Sequence, residues 1–187
     1  MARTLNGFLQ NITDMYLLFD IGGTHTRIAF SDGKNLQNIK IYDTPLDFDL
    51  GLMVFSEVVA DKKIDLAVGG MRNALPRLPD WENKPVKEEL EKIIKAPVYL
   101  QNDAAMAALG EAVFGAGKGY KTVGFLTIGT GVGGAKIVNG KIAWTGEPGH
   151  NIIIEGSKLE NLISGPAIKK KYGETPNWDE ICKFLSL

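Results

Sequence analysis

The sequence predicts an α/β protein: a mixed sheet with helices on its faces, whose opening pattern of strands is met twice. Three observations carry this. Short β-prone apolar runs alternate with amphipathic stretches at helical spacing. Two glycine-rich turns, Asp20-Ile21-Gly22-Gly23-Thr24-His25-Thr26-Arg27 and Gly129-Thr130-Gly131-Val132-Gly133-Gly134, each lie between two strand-like runs. After the break Gly115-Ala116-Gly117-Lys118-Gly119, the strand-strand-strand-helix pattern starts again, as in a duplicated domain whose second copy is incomplete. The expected division is an N-terminal extension at 1–14, a first domain at 15–117 and a truncated second domain at 118–187.

Residues 16–21 and 25–31 read as a hairpin around the first turn, and Asp32-Gly33 as the turn that follows. Residues 38–43 alternate apolar and polar, a third strand. Leu46 to Ala60 has helical spacing, and Ile64 to Val68 is a short buried strand ending at Gly69-Gly70. Pro76, Pro79 and Pro85 exclude regular structure across 71–84. Val86 to Lys95 is an amphipathic helix with Val86, Leu90, Ile93 and Ile94 inside. Pro97 to Gln101 is a strand, and Asn102-Asp103 opens a helix running to Phe114. The second part reads as strands at 122–129, 133–138 and 141–144, a loop at 145–158, a helix from Leu159 to Lys171 and a short helix from Trp178 to the end.

Apolar residues make up 44 % of the 187, enough for a core. A net charge of −1 gives no electrostatic footprint for nucleic acid or for an anionic membrane surface. No apolar run reaches the roughly 18 residues of a membrane span, and the start lacks the apolar stretch of a secretory signal. The single cysteine, Cys182, excludes an intrachain disulfide and a cysteine-rich zinc site. A cytoplasmic location is expected.

The two glycine turns are the first candidates for chemistry. Their bland reading is a tight hairpin whose glycines supply positive φ. Their functional reading is a backbone cradle for phosphate, because glycine has no Cβ to hold an anion away. In the first turn, Asp20 could hold Mg²⁺ directly or through water, since hard cations take oxygen ligands. Gly22, Gly23, Thr24, Thr26 and Arg27 would face phosphate; in the second, Thr130, Gly131 and Gly133 would. The second turn is neither a Walker loop nor a dinucleotide fingerprint, since no Gly-Lys-Ser/Thr and no helix follow it. Asn102-Asp103 is either a helix cap or a general base at the end of a strand, placed to take the proton of an attacking hydroxyl. Glu147, His150 and Glu160 are ordinary loop and first-turn residues, or with Asn102 and Asp103 an acceptor-rich lining for sugar hydroxyls.

Taken in order, these pieces resemble the ROK family of bacterial sugar kinases, repressors and related proteins, within the actin/hexokinase/Hsp70 ATPase superfamily. The matching stretches are Asp20 to Thr24, Leu78-Pro79-Asp80-Trp81, Gln101 to Glu111, Gly129 to Gly134, Gly146-Glu147-Pro148-Gly149-His150 and Leu159 to Ile168. The resemblance implies a ribonuclease H-like, actin-like ATPase fold and an ATP- and Mg²⁺-dependent transfer of the γ-phosphate to a sugar hydroxyl. It makes Asp103 the base, gives the sugar to Asn102, Glu147, His150 and Glu160, and gives the ATP phosphates to the two turns.

The departures from the family pattern are specific. The interval between His150 and Glu160 has no cysteine, so no zinc site is expected. Arg77 stands where the family often has a sugar-contacting asparagine before Leu-Pro-x-Trp, and Gly69-Gly70-Met71-Arg72 replaces a usual glycine-proline. ROK kinases are substantially longer, with further strands and an adenosine turn. A homo-oligomer, a partner chain completing the second domain, or a fragment of a longer chain would each account for this. The leading expectation is a hexose kinase or the N-terminal part of one. The alternatives are a non-catalytic sugar-binding or regulatory module and one subunit of a split kinase.

Overall fold

The computed structural model describes residues 15–72, 77–129, 131–174, 179, 181 and 183. The chain divides into two compact units, Met1–Asp103 and Ala104–Leu187. The Gly115–Gly119 break therefore lies inside the second unit, because the helix before it packs its alanine face with that unit's strands.

The first unit holds a five-stranded mixed sheet in the order β3-β2-β1-β4-β5. Strands β1 (Tyr16–Ile21), β2 (His25–Ser31) and β3 (Leu36–Asp43) are antiparallel neighbours, whereas β4 (Leu66–Met71) and β5 (Val98–Gln101) run parallel to β1. Parallel strands need crossovers, and the helices α1 (Phe48–Val59) and α2 (Val86–Ile94) supply them. Alternation on β1 sends Leu17, Phe19 and Ile21 into the core. There they meet Phe55, Val58 and Leu90 from the helices. Phe19 and Phe55 pack edge to face, their ring centroids 5.2 Å apart.

The strand expected at 38–43 is β3, and its apolar residues Leu36, Ile39 and Ile41 are all exposed. The strand is the edge of the sheet, and the core's apolar residues come from strands further in. The helix predicted to start at Leu46 begins at Phe48, where the Asp47 side chain accepts the Leu50 N–H at 2.9 Å. Inside the proline-rich stretch, the described residues include a 3₁₀ turn, Pro79–Trp81, anchored by a buried tryptophan.

The second unit opens with α3 (Asp103–Val113), which starts on the last residue of the first unit. The antiparallel sheet β6 (Thr122–Ile128), β7 (Val132–Val138) and β8 (Lys141–Gly146) follows. Ala105 and Ala108 of α3 cluster with Ala135 and Ile137 of β7. The predicted 145–158 loop contains a one-turn helix α4 (Pro148–Asn151) and a small hairpin, β9 (Ile153–Ile154) with β10 (Ser157–Lys158). The single helix predicted over 159–171 is two, α5 (Leu159–Ile163) and α6 (Gly165–Tyr172). Ser164 breaks it by capping α6, accepting the Ala167 N–H at 3.4 Å, and Pro166 sits in the first turn. The final predicted helix from Trp178 falls mostly outside the described residues. Among the described residues, no helix is long and apolar enough to cross a membrane.

Candidate active site

In the first unit, the carboxyl ends of three parallel strands gather the candidate chemistry. Asp20 of β1 is in register with Gly70 of β4, and Gly70 with Gln101 of β5. Asn102 and Asp103 follow Gln101 directly, so they leave the sheet at the end where ligands of open α/β sheets sit. Gly70 is the point at which this converges. A Cβ there would stand 3.2 Å from Asp103 Cα, 3.5 Å from Asp103 Cβ and 3.8 Å from Asp20 Oδ1. The lack of a side chain at position 70 is what lets Asp103 stand this close to the β4 backbone, beside Asp20. Asp103 is half-buried.

The other carboxylate oxygen of Asp20, Oδ2, accepts from Arg27 Nη1 at 2.8 Å across the β1–β2 pair. Both side chains are about half exposed, so this pair orients more than it stabilises. The turn itself closes on a Gly22 N–H to His25 C=O bond of 3.0 Å. Thr44, just past β3, locks it. Its hydroxyl donates to Gly22 C=O at 2.8 Å and lies 2.9 Å from the Thr26 hydroxyl, and its N–H donates to Thr24 C=O at 2.9 Å. Thr26, expected to face phosphate, is 3 % exposed and bonded to Thr44, so here it is part of the lock. Thr24 keeps its hydroxyl outward, 3.2 Å from Arg77 Nη1. Sequence reasoning singled out Arg77 only as a departure at a sugar contact. Its reach to the turn depends on a loop path that spacing does not encode.

Described on its own, the second unit gathers Glu147, His150 and Glu160 near the second turn. Glu160 Oε1 lies 3.1 Å from His150 Nε2, and Oε2 accepts the Val132 N–H at 3.2 Å. A Cβ on Gly131 would be 2.6 Å from that same Oε2, so the residue is glycine to let the carboxylate reach the backbone. Glu147 Oε2 is 3.9 Å from the corresponding point on Gly133. The turn is held from below by α6: the Gly165 N–H donates to Gly129 C=O at 2.7 Å. Thr130 lies outside the described residues. Among the described glycines of both turns, none has positive φ. Positive φ therefore does not account for these glycines; at Gly22, Gly131, Gly133 and Gly134 a Cβ would stand 3.0 Å or less from a neighbouring group, whereas Gly129 faces open space.

Among the described residues, no group of three or more His, Cys, Asp or Glu is arranged to hold a metal ion. A Mg²⁺ that keeps most of its waters and takes one carboxylate together with phosphate oxygens fits the oxygen chemistry of Asp20, which lies beside Asp103 across Gly70.

The family model described as ROK family matches residues 16–186. A glucokinase of Thermotoga maritima is 45 % identical over 165 residues, which cover 79 % of this chain and 50 % of that enzyme. An N-acetyl-D-glucosamine kinase of Yersinia pseudotuberculosis is 33 % identical over 158 residues, 73 % of this chain and 52 % of that one. A ROK family glucokinase from Streptomyces griseus, solved in complex with glucose and AMPPNP, superposes with a TM-score of 0.65 at 26 % identity, covering 83 % of this chain and 59 % of the other. The chain thus spans about half the length of these curated relatives.

Proposed function

The chain belongs to the ROK family, with the actin-like ATPase fold of its kinases, and from that premise we propose that it works in ATP-dependent phosphorylation of a hexose. The observation that carries the proposal is the convergence of Asp20 and Asp103 on the side-chain-free Gly70 at the carboxyl ends of adjacent strands. Two acidic residues brought to the same strand ends suit two roles that phosphoryl transfer needs.

In this reading, Asp103 is the general base. It accepts the proton of a sugar hydroxyl as that oxygen bonds to the γ-phosphorus. The bond from the γ-phosphorus to the bridging oxygen breaks, and ADP leaves with the electron pair. Asp20 holds Mg²⁺, which when bound offsets charge on the phosphates. Arg27 orients Asp20 from across the hairpin. Gly22, Gly23 and Thr24 face one part of the phosphate chain, and Gly131 and Gly133 face another, with Thr26 stiffening the first turn. Asn102, Glu147, His150 and Glu160 hold sugar hydroxyls. The acceptor-rich pairing of His150 with Glu160 supports that role, since a polyol needs both donors and acceptors. The names of the relatives favour glucose or N-acetylglucosamine as substrate.

A coupled assay of ADP release across glucose, mannose, N-acetylglucosamine and N-acetylmannosamine tests the reading. Turnover is expected on at least one of them, and Asp103→Asn is expected to lower kcat about 1,000-fold, within the usual range for loss of a general base. Equal turnover by wild type and Asp103→Asn would remove Asp103 from the chemistry. Calorimetric sugar binding without turnover would favour a sugar-binding module instead.

A further inference from the structure

We propose that Arg77 binds the phosphoryl group in transit and supplies the positive charge of the first glycine turn. The inference rests on the phosphate role given to that turn above. Two arginines bond to side chains of the turn, Arg27 to Asp20 and Arg77 to Thr24, and they are not equivalent. Arg27 is neutralised by Asp20 at 2.8 Å. Arg77, among the described residues, forms no ion pair; its guanidinium meets only a neutral partner, the Thr24 hydroxyl, at 3.2 Å. A guanidinium has five N–H donors in a planar fork, so one bond to Thr24 orients the group and leaves most donors for a ligand.

Arg77 is also held in place by its neighbours. Leu78 is fully buried, and Trp81 is 2 % exposed. The Trp81 indole N–H donates to Pro45 C=O at 3.0 Å, and the Asp80 carboxylate accepts the Phe48 N–H at 2.9 Å. The Arg77 stem lies along the turn, its Cβ 3.5 Å from where Gly23 would carry one. A cation fixed at the edge of a glycine turn on a rigid segment suits a phosphate oxygen. A neutral sugar hydroxyl gains less from a full charge.

Three variants of the full chain separate charge from scaffolding: Arg77→Lys, Arg77→Gln and Arg77→Ala. Each is measured for kcat, for KM of ATP and of sugar, and for calorimetric affinity for AMPPNP, with the thermal midpoint as a folding check. Expected are a fall of about 10- to 100-fold in kcat/KM for ATP in Gln and Ala, a smaller fall in Lys, and a KM for sugar within about twofold of wild type. Added guanidinium is expected to restore part of the activity of Arg77→Ala.

A glutamine variant that matches wild type, having kept the hydrogen bond to Thr24 and lost the charge, overturns the proposal. So does a loss confined to the KM for sugar. A wild type that binds AMPPNP without turnover sinks the kinase reading but leaves the Arg77 comparison to be decided by affinity. A wild type that does neither sinks both.

Discussion

The two glycine turns look alike in sequence and are built differently. The β1–β2 turn is locked by hydroxyls: Thr44 bonds Gly22 and Thr26, and the nearby charges belong to Asp20, Arg27 and Arg77. The β6–β7 turn is held by the backbone of α6 through Gly165 and by the Glu160 carboxylate on the Val132 N–H. The first turn is thus stiff whatever happens to its charged groups. The second depends on an ionisable side chain that also meets His150. A ligand that competes for Glu160 therefore acts on the second turn's backbone as well, whereas in the first turn Arg77 reaches only the Thr24 side chain.

The strongest way to break this comparison is a double-mutant cycle on Gly131 and Glu160. A methyl at position 131 would stand 2.6 Å from Glu160 Oε2, the mobile end of a long side chain. The carboxylate gives way, and the fold survives. Gly131→Ala and Glu160→Gln therefore damage the same contact. Each is expected to raise the KM for sugar on the order of 10- to 100-fold, the usual worth of a hydrogen bond to a charged group. The double variant is expected to be no worse than the weaker single one. Additive losses would show that the turn and Glu160 act independently.

Sequence patterning made the strand and helix positions of the first unit legible, because β1 alternates cleanly and α2 has a full amphipathic stripe. It also named the two acids and the two turns. Positive φ, one of the two readings open for the turn glycines, is not what they supply, and alternation and spacing say nothing about which residue lies opposite. Gly131 is small because Glu160 crowds it, and Gly70, met in the sequence only as a strand end, is small because Asp103 stands against it. Sequence patterning placed Thr26 toward ligand, although the residue that buries it, Thr44, lies 18 positions later and was given no role. It joined α5 and α6 because apolar spacing continues across Ser164, where the Ser164 cap and the tie of Gly165 to Gly129 make the break. What was missed at Gly131 and Thr26 is tertiary, whereas the Ser164 cap is local.

A second prediction sharpens the contrast from the other side. Thr44→Val keeps the shape of the residue and removes both bonds made by a hydroxyl that is almost fully buried. A loss of about 1–3 kcal/mol in unfolding free energy is expected, since Thr26 and Gly22 C=O are left without that partner. Denaturant titration measures it. The KM for ATP should rise while the KM for sugar stays put, because only the first turn loosens. A variant as stable as wild type would mean that the charges, not the hydroxyls, hold this turn.

The smallest effect comes from a second glutamate that makes the same kind of bond as Glu160. Glu91 accepts the N–H of Val98, the first residue of β5, at 3.2 Å, as Glu160 accepts that of Val132, the first residue of β7. The Val98 N–H, helped by Lys87, holds the Glu91 carboxyl below its ordinary value. A carboxylate whose pKa is lowered on folding adds stability that is fully present above its unfolded value and is lost as pH falls through the folded one. Wild type should therefore be slightly more stable than Glu91→Gln at about pH 6, and the gap should close by about pH 3. Turnover at neutral pH should be unchanged, because no glycine turn adjoins Glu91. Thermal melts of the two proteins across that range measure the gap. One that widens toward acid would reverse the sign of the linkage and show that the bond to Val98 does not favour the charged form.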